Sequence, residues 1–233
     1  MEDDERIREA VSKTEILRSP KRSLYSFGST FISYYLVTEP VYAENTAKVT
    51  ETVIREGRVV AERPKIVTPV YLSRLEGFSP EARRYFESLV QEKSATASGL
   101  LYTYKNEPKE MNIVSGTLIE AVAKLNEEID RRGDQLTSII KGTDELWDVS
   151  LMKFIYEVTR SSAPANMLQM DRRGLLTLDA EGIPADARKR IEALFRQVGA
   201  GESDPKELKG ELDRWGLFNE YQDRFFALFT KKR

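Results

Sequence analysis

The spacing of apolar residues changes part-way along this chain, and that change limits what it can fold into more than any single motif does. Up to about Ser115, apolar residues come in short runs rich in Val, Ile, Thr, Tyr and Phe, broken by proline, glycine and charge. Such residues suit a pleated, half-buried surface. Beyond Ser115 they recur every three or four positions, the spacing of one helical face. The expected class is α+β: an N-terminal, mostly antiparallel sheet with flanking helices, then a largely helical C-terminal half. Residues 1–115 and 116–233 are the expected regions, either as two domains or as one sheet with its covering helices.

Read in order, the chain opens on an amphipathic helix carrying Ile7, Ala10, Val11 and Ile16, stopped at Arg18-Ser19-Pro20. Leu24 to Val41 reads as one or two strands, with a break at Pro40. Glu51 to Glu62 reads as two short strands around Glu56-Gly57, where glycine would supply the positive φ of a tight turn. Lys65 to Leu72, punctuated by Pro64 and Pro69, reads as an edge strand or a covering segment. Ser79-Pro80-Glu81 opens a helix with Ala82, Phe86, Leu89 and Val90 on its buried face. Leu100 to Tyr104 and Met111 to Val114 read as two strands separated by the polar loop Lys105 to Glu110.

Leu118, Val122, Leu125 and Ile129 then mark a helix ended by Gly133. A short helix through Leu136, Ile139 and Ile140 follows, and Asp144 begins a long one with Trp147, Leu151, Phe154, Ile155 and Val158. Arg172 to Gly182 reads as a loop with a strand-like piece at Leu176 to Leu178. Ile183, Ala187, Ile191, Leu194, Phe195 and Val198 form the next helical stripe. Asp204-Pro205-Lys206-Glu207 caps another helix, with Leu208, Leu212 and Trp215 buried and Gly216 at its end. The final helix carries Phe218, Tyr221, Phe225, Leu228 and Phe229.

Composition narrows the chemistry. The 233 residues include neither cysteine nor histidine. Disulfides, thiolate nucleophiles, Cys- or His-ligated metals, Ser-His-Asp triads and imidazole bases are therefore excluded. Lysine and arginine number 36 against 38 acids, so the chain lacks the basic excess of a general polyanion binder. The acidic start has no apolar run behind it, and Phe31 to Val37 is too short to span a bilayer, so a cytoplasmic protein without a membrane partner is expected. A charged content of 32%, with no Cys or His, also fits a heat-adapted source.

Four constellations bear on function. Ser150-x-x-Lys153 and Ser138-x-x-Lys141 each match a Ser/Lys nucleophile–base spacing. Their companion motifs are absent, and ordinary polar positions on amphipathic helices explain them as well. Asp144, Glu145 and Asp148 would suit magnesium bound through waters, or a helix N-cap with acids at the positive end of its dipole. Asp179-Ala-Glu-Gly182 lacks the ligand alternation of a calcium loop and reads as a turn. Gly199-Ala-Gly201 has neither the preceding strand nor the Lys-Ser/Thr of a phosphate loop, and reads as a flexible connector.

The fourth is a basic cluster, Arg18, Lys21 and Arg22, running into Tyr25, Phe27, Phe31, Tyr34 and Tyr35. Charge beside rings is how single-stranded nucleic acids and nucleotides are held. Alternation would place Tyr25, Phe27, Phe31 and Tyr35 on one face and Ile32, Tyr34 and Leu36 on the other, and one of those faces must be core. The C-terminal rings, Trp215, Phe218, Tyr221, Phe225, Phe226 and Phe229, spread over more than one narrow stripe. Either that helix is sandwiched, or it offers an apolar face to a protein partner or to a second copy of the chain.

The leading expectation is a non-enzymatic binding or accessory protein acting through protein–protein contacts, with no cofactor. Nucleic-acid or nucleotide binding through residues 18–35 is the alternative, and a magnesium-dependent or Ser/Lys enzyme ranks third.

Overall fold

A computed structural model describes residues 2–40, 51–68, 70–71 and 98–230. The fold is α+β, as the apolar pattern predicts. Its strands are β1 (Glu15–Arg18), β2 (Thr30–Thr38), β3 (Glu51–Ala61), β4 (Lys65–Val67), β5 (Gly99–Leu101), β6 (Tyr104–Ser115) and β7 (Thr137–Lys141). The helices among the described residues are α1 (Glu2–Lys13), α2 (Leu118–Arg132), α3 (Trp147–Arg172), α4 (Ala185–Ala200), α5 (Pro205–Trp215) and α6 (Phe218–Thr230). Two compact units result, one from Met1–Pro64 with Tyr102–Asn166, the other from Lys65–Leu101 with Met167–Arg233. Ser115, where the apolar spacing changes, ends β6 inside the first unit.

The first unit is built on a five-stranded sheet in the order β1-β7-β2-β3-β6. Neighbours run antiparallel except β2 and β7, which are parallel. Strand β2 lies in the middle and is buried on both faces, which explains its almost unbroken apolar run. Ile32, Tyr34 and Leu36 pack with Val59, Ile140 and the α3 residues Leu151, Phe154 and Val158. Tyr35 and Val37 pack on the opposite face with Ile139 and the α2 residues Leu125 and Ile129. Helix α2 starts on a reciprocal capping box between Thr117 and Glu120 and stops at Gly133, whose φ of 67° is left-handed.

The second unit holds the short β4–β5 ribbon and the three helices α4, α5 and α6. Ile183, Ala187, Ile191, Leu194, Phe195 and Val198 form one buried stripe, meeting Leu208, Leu212, Trp215 and Phe225. Asp204 accepts the Lys206 amide at 2.8 Å to cap α5, and Gly216 closes it with φ 68°. Among the described residues no helix is long and apolar enough to cross a membrane.

Several local expectations are corrected. Ile16 lies in β1, because Thr14 ends α1 by turning its hydroxyl back onto the Ala10 carbonyl. Glu51–Ala61 is one continuous strand, with Gly57 directly opposite Tyr34 and no turn at Glu56-Gly57. Lys105–Glu110 is not a loop but part of β6, a sheet edge where polar side chains meet solvent on both faces. Residues 137–141 form a buried strand rather than a short helix; a brief apolar run does not distinguish the two. Helix α3 starts at Trp147, since Asp144 is drawn away to Arg55. Gly199 and Ala200 close α4 and Gly201 is its left-handed cap, φ 78°, so this is a helix end and not a flexible connector. The helix expected from Ser79 to Val90 lies outside the described residues.

Candidate functional site

The basic segment is divided between structure and surface. Arg18 leaves β1 to donate to Asn126 at 2.9 Å and Asp130 at 2.6 Å, which ties β1 to α2. Lys21 stands 3.7 Å from the same Asp130 and is otherwise solvated, and Arg22 is exposed. Tyr25 is partly exposed, and Phe27 lies under Arg63 at 5.9 Å. Phe31 is exposed under Arg58 at 5.1 Å. Tyr34 and Tyr35 are core residues, 1% and 8% exposed, on opposite faces of β2. Burial pushes the Tyr34 hydroxyl above the usual phenol range, with its hydrogen bond to Asn106 opposing the shift. Neither ring is open to stack on a base.

Neither Ser/Lys pair is assembled as a nucleophile and its base. The Ser150 hydroxyl lies 2.7 Å from that of Thr14, whose own proton goes to the Ala10 carbonyl, and Lys153 donates to the carbonyls of Val11 and Thr14 at 3.1 and 2.9 Å. Both therefore fasten the end of α1 to α3. Ser138 and Lys141 lie three apart on a strand, so their side chains point to opposite faces, and Lys141 pairs with Glu15.

Asp144 forms a compact triangle with Arg55 and Thr38. Arg55 is 2.7 Å from the Asp144 carboxylate and donates to Thr38 at 3.1 Å, while the Thr38 hydroxyl donates to Asp144 at 2.8 Å. The guanidinium also lies over the Trp147 ring at 5.7 Å. Asp148 points elsewhere, accepting the Val149 amide, and among the described residues no group of three or more metal-ligating side chains converges.

This triangle borders a cavity of about 490 Å3 beyond the carboxyl ends of the parallel strands β2 and β7. Arg6, Glu9, Lys13 and Ala10 of α1 line it, with Glu15, Glu39, Lys141 and the Gly142–Leu146 turn. Sequence reading missed it because its residues come from distant stretches and share no motif. Its cations are spent internally: Arg6 on Glu145 at 2.8 Å, Lys13 on Glu9 at 2.7 Å and Lys141 on Glu15 at 2.9 Å.

The C-terminal rings separate into core and surface. Trp215 is buried and donates to Glu211 at 3.1 Å; Phe225 is buried, and Phe218 and Tyr221 are half-buried. Phe226 and Phe229, by contrast, are 53% and 50% exposed. Phe225 makes edge contacts with Phe218, Phe226 and Phe229 at centroid distances of 5.6, 5.8 and 5.4 Å. Helix α6 is anchored beneath them by a bidentate Arg224–Glu192 pair, 2.6 and 2.8 Å, with Arg224 over the Phe195 ring at 4.1 Å. A fixed helix thus carries an aromatic ladder from the core out to solvent.

No protein-family model, curated protein or solved structure significantly matches this chain.

Proposed function

We propose that this is a non-enzymatic accessory protein of the cytoplasm that works through protein–protein contacts, with α6 as its docking helix. The observation that carries this reading is the exposure of Phe226 and Phe229 on a helix whose neighbouring ring, Phe225, is already core. Aromatic side chains on a rigid support lose little entropy on binding, and such residues dominate interface energetics. The polar candidates favour it from the other side, since Ser150, Lys153 and Asp144 are committed to internal contacts.

The test is photo-crosslinking from position 229 in producing cells, with light scattering of the purified chain over a range of concentrations. A discrete species crosslinked from position 229, or a concentration-dependent mass, that Phe226→Asp removes while the melting temperature stays unchanged is expected. A monomer at all concentrations that crosslinks to nothing would overturn the proposal.

A further inference from the structure

A second, smaller cavity of about 260 Å3 lies in the first unit, where the segment after β1 crosses α3. Ile16 of β1 and Phe154 and Val158 of α3 stand behind it, with Phe154 fully buried. Its rim is cationic and hydroxylic, formed by Ser19, Lys21, Arg22 and Ser23 on one side and Ser161 on the other. The segment is held in place from beneath. The Lys21 amide donates to the Gln135 carbonyl at 2.9 Å, and the Leu24 amide to the buried Ser162 hydroxyl at 3.0 Å. Two tethers bracket Arg22 and Ser23, so the rim is a fixed feature.

The polar groups on that rim are largely uncommitted. Arg22 forms no ion pair, and Ser19 and Ser23 form no side-chain hydrogen bond, with any described residue. Lys21 has only the long contact to Asp130, at 3.7 Å, and Asp130 is already satisfied by Arg18 at 2.6 Å. One carboxylate, Glu157, lines the cavity, with Lys153 at 4.0 Å. Arg22 and the hydroxyl-bearing Ser19 and Ser23 therefore line one small cavity with few acceptors to receive their protons, and Lys21 adds positive charge at its edge.

We infer that this cavity binds a phosphomonoester. A phosphate offers three terminal oxygens, and the guanidinium fork of Arg22 matches two of them while Lys21 supplies a point charge. A carboxylate would leave donors unmet. The volume lies just below the roughly 300–1,000 Å3 of pockets for drug-sized ligands. That size admits a single phosphorylated group rather than a run of nucleotides, and burial of Tyr34 and Tyr35 removes the rings a strand would need. The phosphomonoester comes either from a free small molecule or from the 5′-phosphate end of a nucleic acid.

Calorimetric titration of the full chain distinguishes these sources, using phenyl phosphate, phenol, and a short oligothymidylate with and without a 5′-phosphate. Phenyl phosphate is expected to bind with a stoichiometry of one, and phenol much more weakly. Arg22→Gln and Lys21→Gln should each lower affinity by about tenfold, whereas Arg131→Gln, an exposed control, leaves it unchanged. Preference for the phosphorylated oligonucleotide over phenyl phosphate would assign the ligand to nucleic-acid ends, and the reverse to a free metabolite. Failure of phenyl phosphate to bind, or binding that survives both substitutions, would overturn the inference.

Discussion

Gly57 lies directly beneath the ring of Tyr34 across the β2–β3 ladder. A Cβ at position 57 would stand 2.8 Å from Tyr34 Cε1 and closer still to Cζ and the hydroxyl. The ring fills the space a side chain would take, which is how an aromatic neighbour protects a glycine within a strand. Gly57→Ala should therefore destabilise the protein by about 1–3 kcal/mol, the usual cost of overpacking. Chemical denaturation measures it. Combined with Tyr34→Val, the two losses should sum to more than the double variant shows, because the clash is gone. Simple additivity would mean the ring can move aside.

The Arg55–Asp144–Thr38 triangle makes a second prediction. Arg55 and Asp144 are mostly buried, so Asp144→Ala leaves a guanidinium with a poor substitute for its partner. A loss of about 3 kcal/mol is expected. Asp144→Asn keeps an acceptor for the Thr38 hydroxyl and should cost less. Urea midpoints of the two variants settle the order.

Alkali should unfold the first unit. Burial raises the pKa of Tyr34, Tyr102 and Tyr104, while hydrogen bonds to Asn106, Asn166 and Thr159 respectively oppose the shift. The folded state therefore holds these protons after the unfolded chain has released its own. Stability is fully present below about pH 10 and falls as pH rises beyond it, through the folded values. Denaturation midpoints should decline steeply above that pH and less so in Tyr34→Phe. With no histidine or cysteine in the chain, they should stay nearly level between about pH 6 and 8.

Acid acts on the second unit at Asp179. Partial burial would raise its pKa, but the Ile183 amide, Arg188 and the Glu181 amide together hold it below the usual carboxylate range. Its contribution is present above about pH 4 and is lost as pH falls through the folded value. Asp179→Asn should flatten the acid limb of the stability profile. Asp179→Ala should cost about 1–2 kcal/mol near neutrality, since it frees two amides and a guanidinium.

Legibility followed distance along the chain. The Asp179 turn, the Asp204 cap and the Gly133 and Gly216 stops each join residues only a few positions apart, and all were readable. The separation of Ile32, Tyr34 and Leu36 from Phe31 and Tyr35 was readable too, because strand alternation is local. What alternation left open was that α2 and α3 would cover both faces and take Tyr34 and Tyr35 into the core together. The candidate sites were half legible. Lys21 and Arg22 stood out as a pair, yet the cavity they rim depends on Ile16, Phe154 and Ser161, which no local pattern connects to them.

By itself, then, the sequence determined the α+β class, the helices of the last third and the exclusion of thiol and imidazole chemistry. Each rests on residue type or on spacing within a few turns. Only the tertiary structure decided that residues 137–141 are a strand, that Gly57 lies under a ring and that Arg18 is spent on Asp130. Those outcomes depend on partners far away in the chain. A five-residue apolar run, a lone glycine and a single arginine suit several environments equally well, and the energy that chooses among them appears only when the sheet closes against its helices.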